Sequence, residues 1–109
     1  ELLDPAHVDR TNSSWWFSDD RGLWGDRPFI HLGERFWYET QQVSVERYQI
    51  IDLNSGQLTV MHLTDQVYTP ETVSNMLHEA GFGSVAVYPG WEGLPLGDAG
   101  EWIAYVARR

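Results

Sequence analysis

Hydrophobic and polar positions alternate along the middle of the chain and change to a helical period near residue 70. Over residues 34–65 the side chains Phe36, Trp37, Tyr38, Thr40, Val43, Val45, Tyr48, Ile50 and Ile51 are β-branched or aromatic. Such side chains fit a pleated, half-buried surface, so the stretch predicts two strands or one bent strand. Asp52-Leu-Asn-Ser-Gly56 breaks the run with turn chemistry. Asn54 and Gly56 accept positive φ at little cost, and Asp52 can bond its own backbone. Beyond it, Leu58, Val60 and His62 alternate with Thr59, Met61 and Leu63. A hairpin of about nine residues a side follows from that period of two.

The helix is expected over 69–80. Val73, Met76, Leu77 and Ala80 recur at i, i+3, i+4 and i+7 and make one apolar face. Thr69 suits the N-cap, and Pro70 sits at the first helical position, where its missing N–H costs nothing. Glu71 lies where the helix dipole favours a negative charge. Gly81 supplies a left-handed residue past the end, and Phe82 can fold back onto Leu77 in a Schellman-type stop. Ser84–Tyr88 then reads as a short strand, residues 89–97 as a loop, and Trp102–Ala107 as an apolar strand covered on both sides.

Residues 1–33 show no clear period. Turn formers mix with Trp15, Trp16 and Phe17, and Gly22, Gly25, Pro28 and Gly33 punctuate the rest. An irregular, aromatic-anchored segment is expected, with a short helix near Asp4–Arg10. The chain is thus expected to be α+β: an antiparallel β hairpin or sheet with one well-capped helix followed by two strands. Residues 1–109 form one domain or fragment, divided into an irregular segment (1–33), antiparallel strands (34–65) and a helix–strand–strand unit (69–109).

Composition narrows the function classes. A length of 109 residues suits one modest core, and 42% hydrophobic with 21% charged residues is globular. A net charge of −9 argues against nucleic acid and against an anionic membrane surface, both of which are held by clustered cations. All seven cations are Arg, so lysine chemistry is excluded. No Cys is present, which removes disulfides, thiolate nucleophiles and Cys-based metal sites. No apolar run reaches the roughly 18 residues of a membrane span, and no signal peptide is evident. A cytoplasmic protein is expected. A first residue Glu1 in place of Met is expected of a processed or excised piece of something longer.

Chemistry-bearing motifs are few. His7, His31, His62 and His78 have no ligand spacing between them, and the expectation is isolated histidines and no metal. His62, on a strand between aromatics, is the exception that could face a pocket. Asp19 with Asp20, and Glu34 with Glu39, read as solvated carboxylates. Gly81-Phe-Gly83 follows a helix and precedes a strand, the reverse of a phosphate loop. Six Trp, five Tyr and four Phe are many for this length and suit packing, an interface or a ligand wall.

One stretch resembles a known family. Tyr68-Thr-Pro-Glu-Thr-Val-Ser-Asn-Met-Leu-His-Glu-Ala-Gly-Phe82 followed by Val85-Ala-Val-Tyr88 is similar to the last helix and sixth strand of class I S-adenosylmethionine-dependent methyltransferases. Trp102–Arg109 looks like their seventh, antiparallel strand with its basic end. Glu34-Arg35-Phe-Trp, Ile50–Gly56 and Trp91-Glu-Gly-Leu-Pro95 resemble a bacterial group in which an antiparallel hairpin before the last helix covers the active site. Gln66 stands where that group often has Arg, and Thr72 where it more often has Glu.

The resemblance implies the C-terminal portion of a Rossmann-like methyltransferase fold. It also implies S-adenosyl-L-methionine as cofactor of an intact enzyme, because the glycine-rich loop that would hold it is not in this sequence. The implied function is the substrate-side portion of an enzyme acting on a small-molecule methyl acceptor, inactive alone. Trp16, Phe17, Trp37, Tyr38, His62 and Tyr68 are the candidate acceptor-wall residues. No fifth strand is read in the chain, so Trp102–Ala107 should expose an edge and a face. The missing N-terminal half, a second copy in a homodimer, or strand exchange would cover it. Two alternatives stand beside this: a stand-alone ligand-binding α+β module, and a non-catalytic protein-interaction domain.

Overall fold

The structure, a computed structural model, describes residues 1–93 and 100–109. Leu94 and Pro95 of the Trp91–Pro95 stretch, and the rest of the 89–97 loop beyond Gly93, lie outside the described residues. Among the described residues seven strands and one helix run in the order β1 (Leu2–Leu3), β2 (Ser13–Asp19), β3 (Phe29–Tyr38), β4 (Val43–Asp52), β5 (Leu58–Gln66), α1 (Pro70–Glu79), β6 (Ser84–Pro89) and β7 (Trp102–Arg108). They form two compact units. One holds Glu1–Asp9 with Gln66–Arg109, and the other holds Arg10–Asp65.

The expected α+β, Rossmann-like architecture is corrected. The chain is 51% strand and 10% helix, in two antiparallel sheets with one short helix. The reason lies in the pairing. In the first unit β7 runs antiparallel to both neighbours, in the order β1-β7-β6, and α1 packs against β6 rather than crossing between parallel strands. The second unit is a meander in the order β2-β3-β4-β5.

The helix follows its local signals. Thr69 Oγ1 accepts from the N–H of Thr72 at 3.2 Å, and Pro70 opens the first turn. Gly81 has φ +100°, and the N–H groups of Gly81 and Phe82 donate to the carbonyls of His78 and Leu77 at 3.0 and 3.1 Å. That double bond is the Schellman stop. Thr69→Ala is expected to cost about 1 kcal/mol, read as a lower urea midpoint at unchanged slope.

In the same unit Leu3, Val8, Val67, Val73 and Ile103 are buried, Ile103 to 1% exposure. The expectation that β7 lacks a neighbour on one edge is corrected only at its start, where Leu2 and Leu3 pair with Ile103 and Trp102; β1 does not reach residues 104–108. Nor is β7 covered on both sides, since Val106 is exposed. Asp4 is buried after β1. Its Oδ1 accepts the Ala6 N–H at 2.9 Å and its Oδ2 lies 2.8 Å from His7 Nδ1. This folds residues 4–8 into a turn where a short helix was expected.

In the second unit the irregular segment expected over 1–33 contains β2 and the start of β3. Ser13–Asp19 alternates after all. Trp15 and Phe17 point to one side and Trp16 to the other, as the register with β3 shows. The turn at 52–56 forms as the sequence predicts. Asp52 Oδ1 accepts the N–H groups of Asn54 and Ser55 at 2.8 and 3.2 Å, and Gly56 N–H closes on the Asp52 carbonyl. Among the described residues no helix is long and apolar enough to cross a membrane.

Candidate functional site

The register of β2, β3 and β4 sets three rows of side chains on one face of the meander. Phe17, His31 and Ile50 form the first row, Trp15, Gly33 and Tyr48 the second, and Ser13, Arg35 and Glu46 the third. Alternation puts all nine on the same side. Aromatic rings fill the first two rows and charged groups fill the third.

His31 is the centre of the aromatic part, at 4% exposure. Phe17 stacks on it at 4.7 Å between centroids, and Tyr48 tilts against it at 4.8 Å. Gly22 and Gly25 bond each other across the β2–β3 connection, and the tip between them carries Trp24 back over the sheet. Trp24 Nε1 donates to His31 Nδ1 at 2.8 Å. An indole nitrogen only donates, so Nδ1 must hold a lone pair and the proton of the neutral ring sits on Nε2. Burial pushes the His31 pKa down, and the Glu46 carboxylate opposes this more weakly. Both the bond and the burial therefore hold His31 neutral.

Gly33 is fixed by its neighbour. The Trp15 indole lies across it, and a Cβ there would sit 2.7 Å from Trp15 Nε1 and nearer still to the ring carbons. In the third row Arg35 grips Glu46 Oε1 through Nε at 3.0 Å and Nη2 at 2.7 Å, while the Tyr48 hydroxyl donates to Glu46 Oε2. Burial, with the Glu46 bond and charge, pushes the Tyr48 pKa up to about 12. Burial, then the Glu46 charge, raises Asp65. Tyr48 thus stays a proton donor at any ordinary pH.

Beside the aromatic row lies a cavity of about 300 Å³, walled by Trp24, Pro28, Phe29 and Ile50 and edged by Asp26, Arg27, Asp52, Gln57 and Thr59. That is enough for one ring with a short arm. Arg27 Nη1 lies 3.4 Å from Asp52 Oδ2. The turn N–H groups of Asn54 and Ser55 hold the Asp52 carboxyl below its ordinary range, with Arg27 adding to them.

The six residues expected to wall a pocket are not brought together. Phe17 and Trp37 share the His31 face. Trp37 donates its indole N–H to Glu39 and carries Arg10 over its ring at 5.1 Å. Trp16 and Tyr38 lie on the opposite face, 69% and 49% exposed. His62 is exposed on β5, and Tyr68 belongs to the other unit. None of the six lines the cavity. Of the acidic pairs, Glu34 bonds Arg47 at 2.6 Å across the strands, and Glu39 holds Trp37. Among the described residues no group of three or more His, Asp or Glu is placed to hold a metal ion.

Sequence reasoning missed His31, because residues 1–33 show no clear period and the surrounding glycines read as loop. No protein family, characterised protein or solved structure matches the chain.

Proposed function

We propose that this chain is the substrate-side portion of an S-adenosylmethionine-dependent methyltransferase acting on a small molecule, and that the cavity beside Trp24 receives the methyl acceptor. The observation that carries this is the capped helix with its Ala80-Gly81-Phe82 stop, within the stretch that bears the resemblance. That helix, α1, leads into β6, and β6 pairs antiparallel with β7. The meander lies in sequence between β1 and α1, and in the enzymes that the sequence resembles a covering hairpin is inserted before the last helix.

The chain's own part in the chemistry is to bind and orient. Methyl transfer needs the acceptor held in line with the donor and water kept away, and a rigid aromatic wall provides both. Trp24, bonded to His31, is such a wall. The sequence has no glycine-rich loop to hold S-adenosylmethionine, so the donor-binding half belongs to a segment outside these residues. A cytoplasmic setting accompanies this reading. The test is to join the chain to the polypeptide encoded ahead of it and titrate S-adenosylmethionine. Saturable binding supports the proposal, and a folded protein without binding ends it.

A further inference from the structure

The cavity beside Trp24 also carries information about the class of its ligand. We infer that it takes a small planar organic cation, an aromatic ring bearing a protonated amine on a short arm. That the ligand is a methyl acceptor rests on the methyltransferase reading; that the cavity prefers a cation does not.

The apolar wall argues for the ring. Trp24, Pro28, Phe29 and Ile50 offer flat or branched surfaces over a volume of about 300 Å³. The Trp24 indole cannot turn freely, because its N–H is committed to His31 at 2.8 Å and its ring stacks on the imidazole at 5.7 Å and 27°. A wall already fixed before binding loses little entropy when a ring settles against it. An indole is also the aromatic surface that attracts a cation most strongly.

The charged edge argues for the amine. Arg27 and Asp52 engage each other, and Asp52 is further held by two turn N–H groups. Asp26 differs. Among the described residues its carboxylate has no ion pair and no hydrogen bond. The edge therefore keeps one negative charge uncompensated, in a chain whose net charge is −9. Gln57 and Thr59 line the same cavity, and an amide or hydroxyl oxygen can accept from an ammonium as well. A carboxylate ligand would instead meet Asp26 and Asp52 together.

The test uses the full chain and two probes of nearly equal shape, 2-phenylethylamine and 3-phenylpropionate. Binding is followed by amide shifts in ¹⁵N spectra, and Trp24, Gln57 and Thr59 are the reporters. The amine is expected to shift these three and to bind on the order of tenfold more tightly than the acid. In Asp26→Asn, which alters an exposed side chain, the amine should weaken about three- to fivefold, as expected for an exposed ion pair, while the acid does not weaken. Equal or tighter binding of the acid would overturn the inference. So would an unchanged amine affinity in Asp26→Asn, or amine shifts that avoid the three reporters. If the amine binds as expected and the rejoined protein fails to take S-adenosylmethionine, the cation site stands and the methyltransferase reading falls. If the reverse holds, the ligand class falls alone.

Discussion

His31→Ala is expected to destabilise the chain by roughly 3 kcal/mol, a large share of what a domain of this size has to lose. Two effects add. The ring that Phe17, Tyr48 and Trp24 pack around is removed, and the Trp24 N–H loses its acceptor at a half-buried site. The check is a urea denaturation series. The same residue makes stability fall in acid. Its folded pKa lies below the ordinary 6.5. Above pH 6.5 neither state takes the proton and the full contribution is present. Below it the unfolded chain gains a proton that the folded chain refuses, so stability drops until the lowered folded value is reached. His31→Phe keeps a ring of similar size and cannot titrate. The loss of stability between pH 7.5 and 5 should therefore be smaller in His31→Phe than in the natural chain. An equal loss in both would show that other groups set the acid response.

Gly33→Val is the second large effect, at roughly 2–3 kcal/mol. No rotamer of valine avoids the Trp15 ring, because the overlap begins at Cβ. Trp15 must swing off the sheet, which also removes its stacking on His31 at 6.3 Å and its edge contact with Tyr48 at 6.4 Å. Near-ultraviolet circular dichroism should lose aromatic signal together with the fall in urea midpoint. An unchanged spectrum would mean that the ring does not rest on Gly33. Double substitution with Trp15→Ala should relieve most of the strain, since the side chain in the way is gone.

These two residues also mark what the sequence could and could not carry. The α1 cap, its Gly81-Phe82 stop and the 52–56 turn were legible because each is decided within six residues by backbone chemistry. The β4–β5 hairpin was legible because β-branched and aromatic residues flank the 52–56 turn signal on both sides. The meander's first half was not, because Ser13, Ser14, Ser18 and Asp19 are turn formers taken one at a time. Only pairing with β3 makes them a strand. The same applies to Leu2–Leu3, two residues with no period at all, which become a strand only against Trp102 and Ile103. The aromatic content pointed to a surface that binds or packs. Which rings meet depended on register, so Phe17 reached the His31 row, while Trp16, one residue earlier, faces the other side. Trp24 could not be placed from sequence, because the Gly22–Gly25 bridge folds it back onto His31 of the strand that follows it.

On the function proposed above, these residues serve a methyl-transfer site whose donor half lies elsewhere. Calorimetric titration of S-adenosylmethionine tests it most directly, run in parallel on this chain and on the chain rejoined to the polypeptide encoded ahead of it. One saturable site per molecule is expected in the rejoined protein, and no heat of binding in the chain alone. A rejoined protein that is folded, by a cooperative urea transition, and yet binds no S-adenosylmethionine would contradict it.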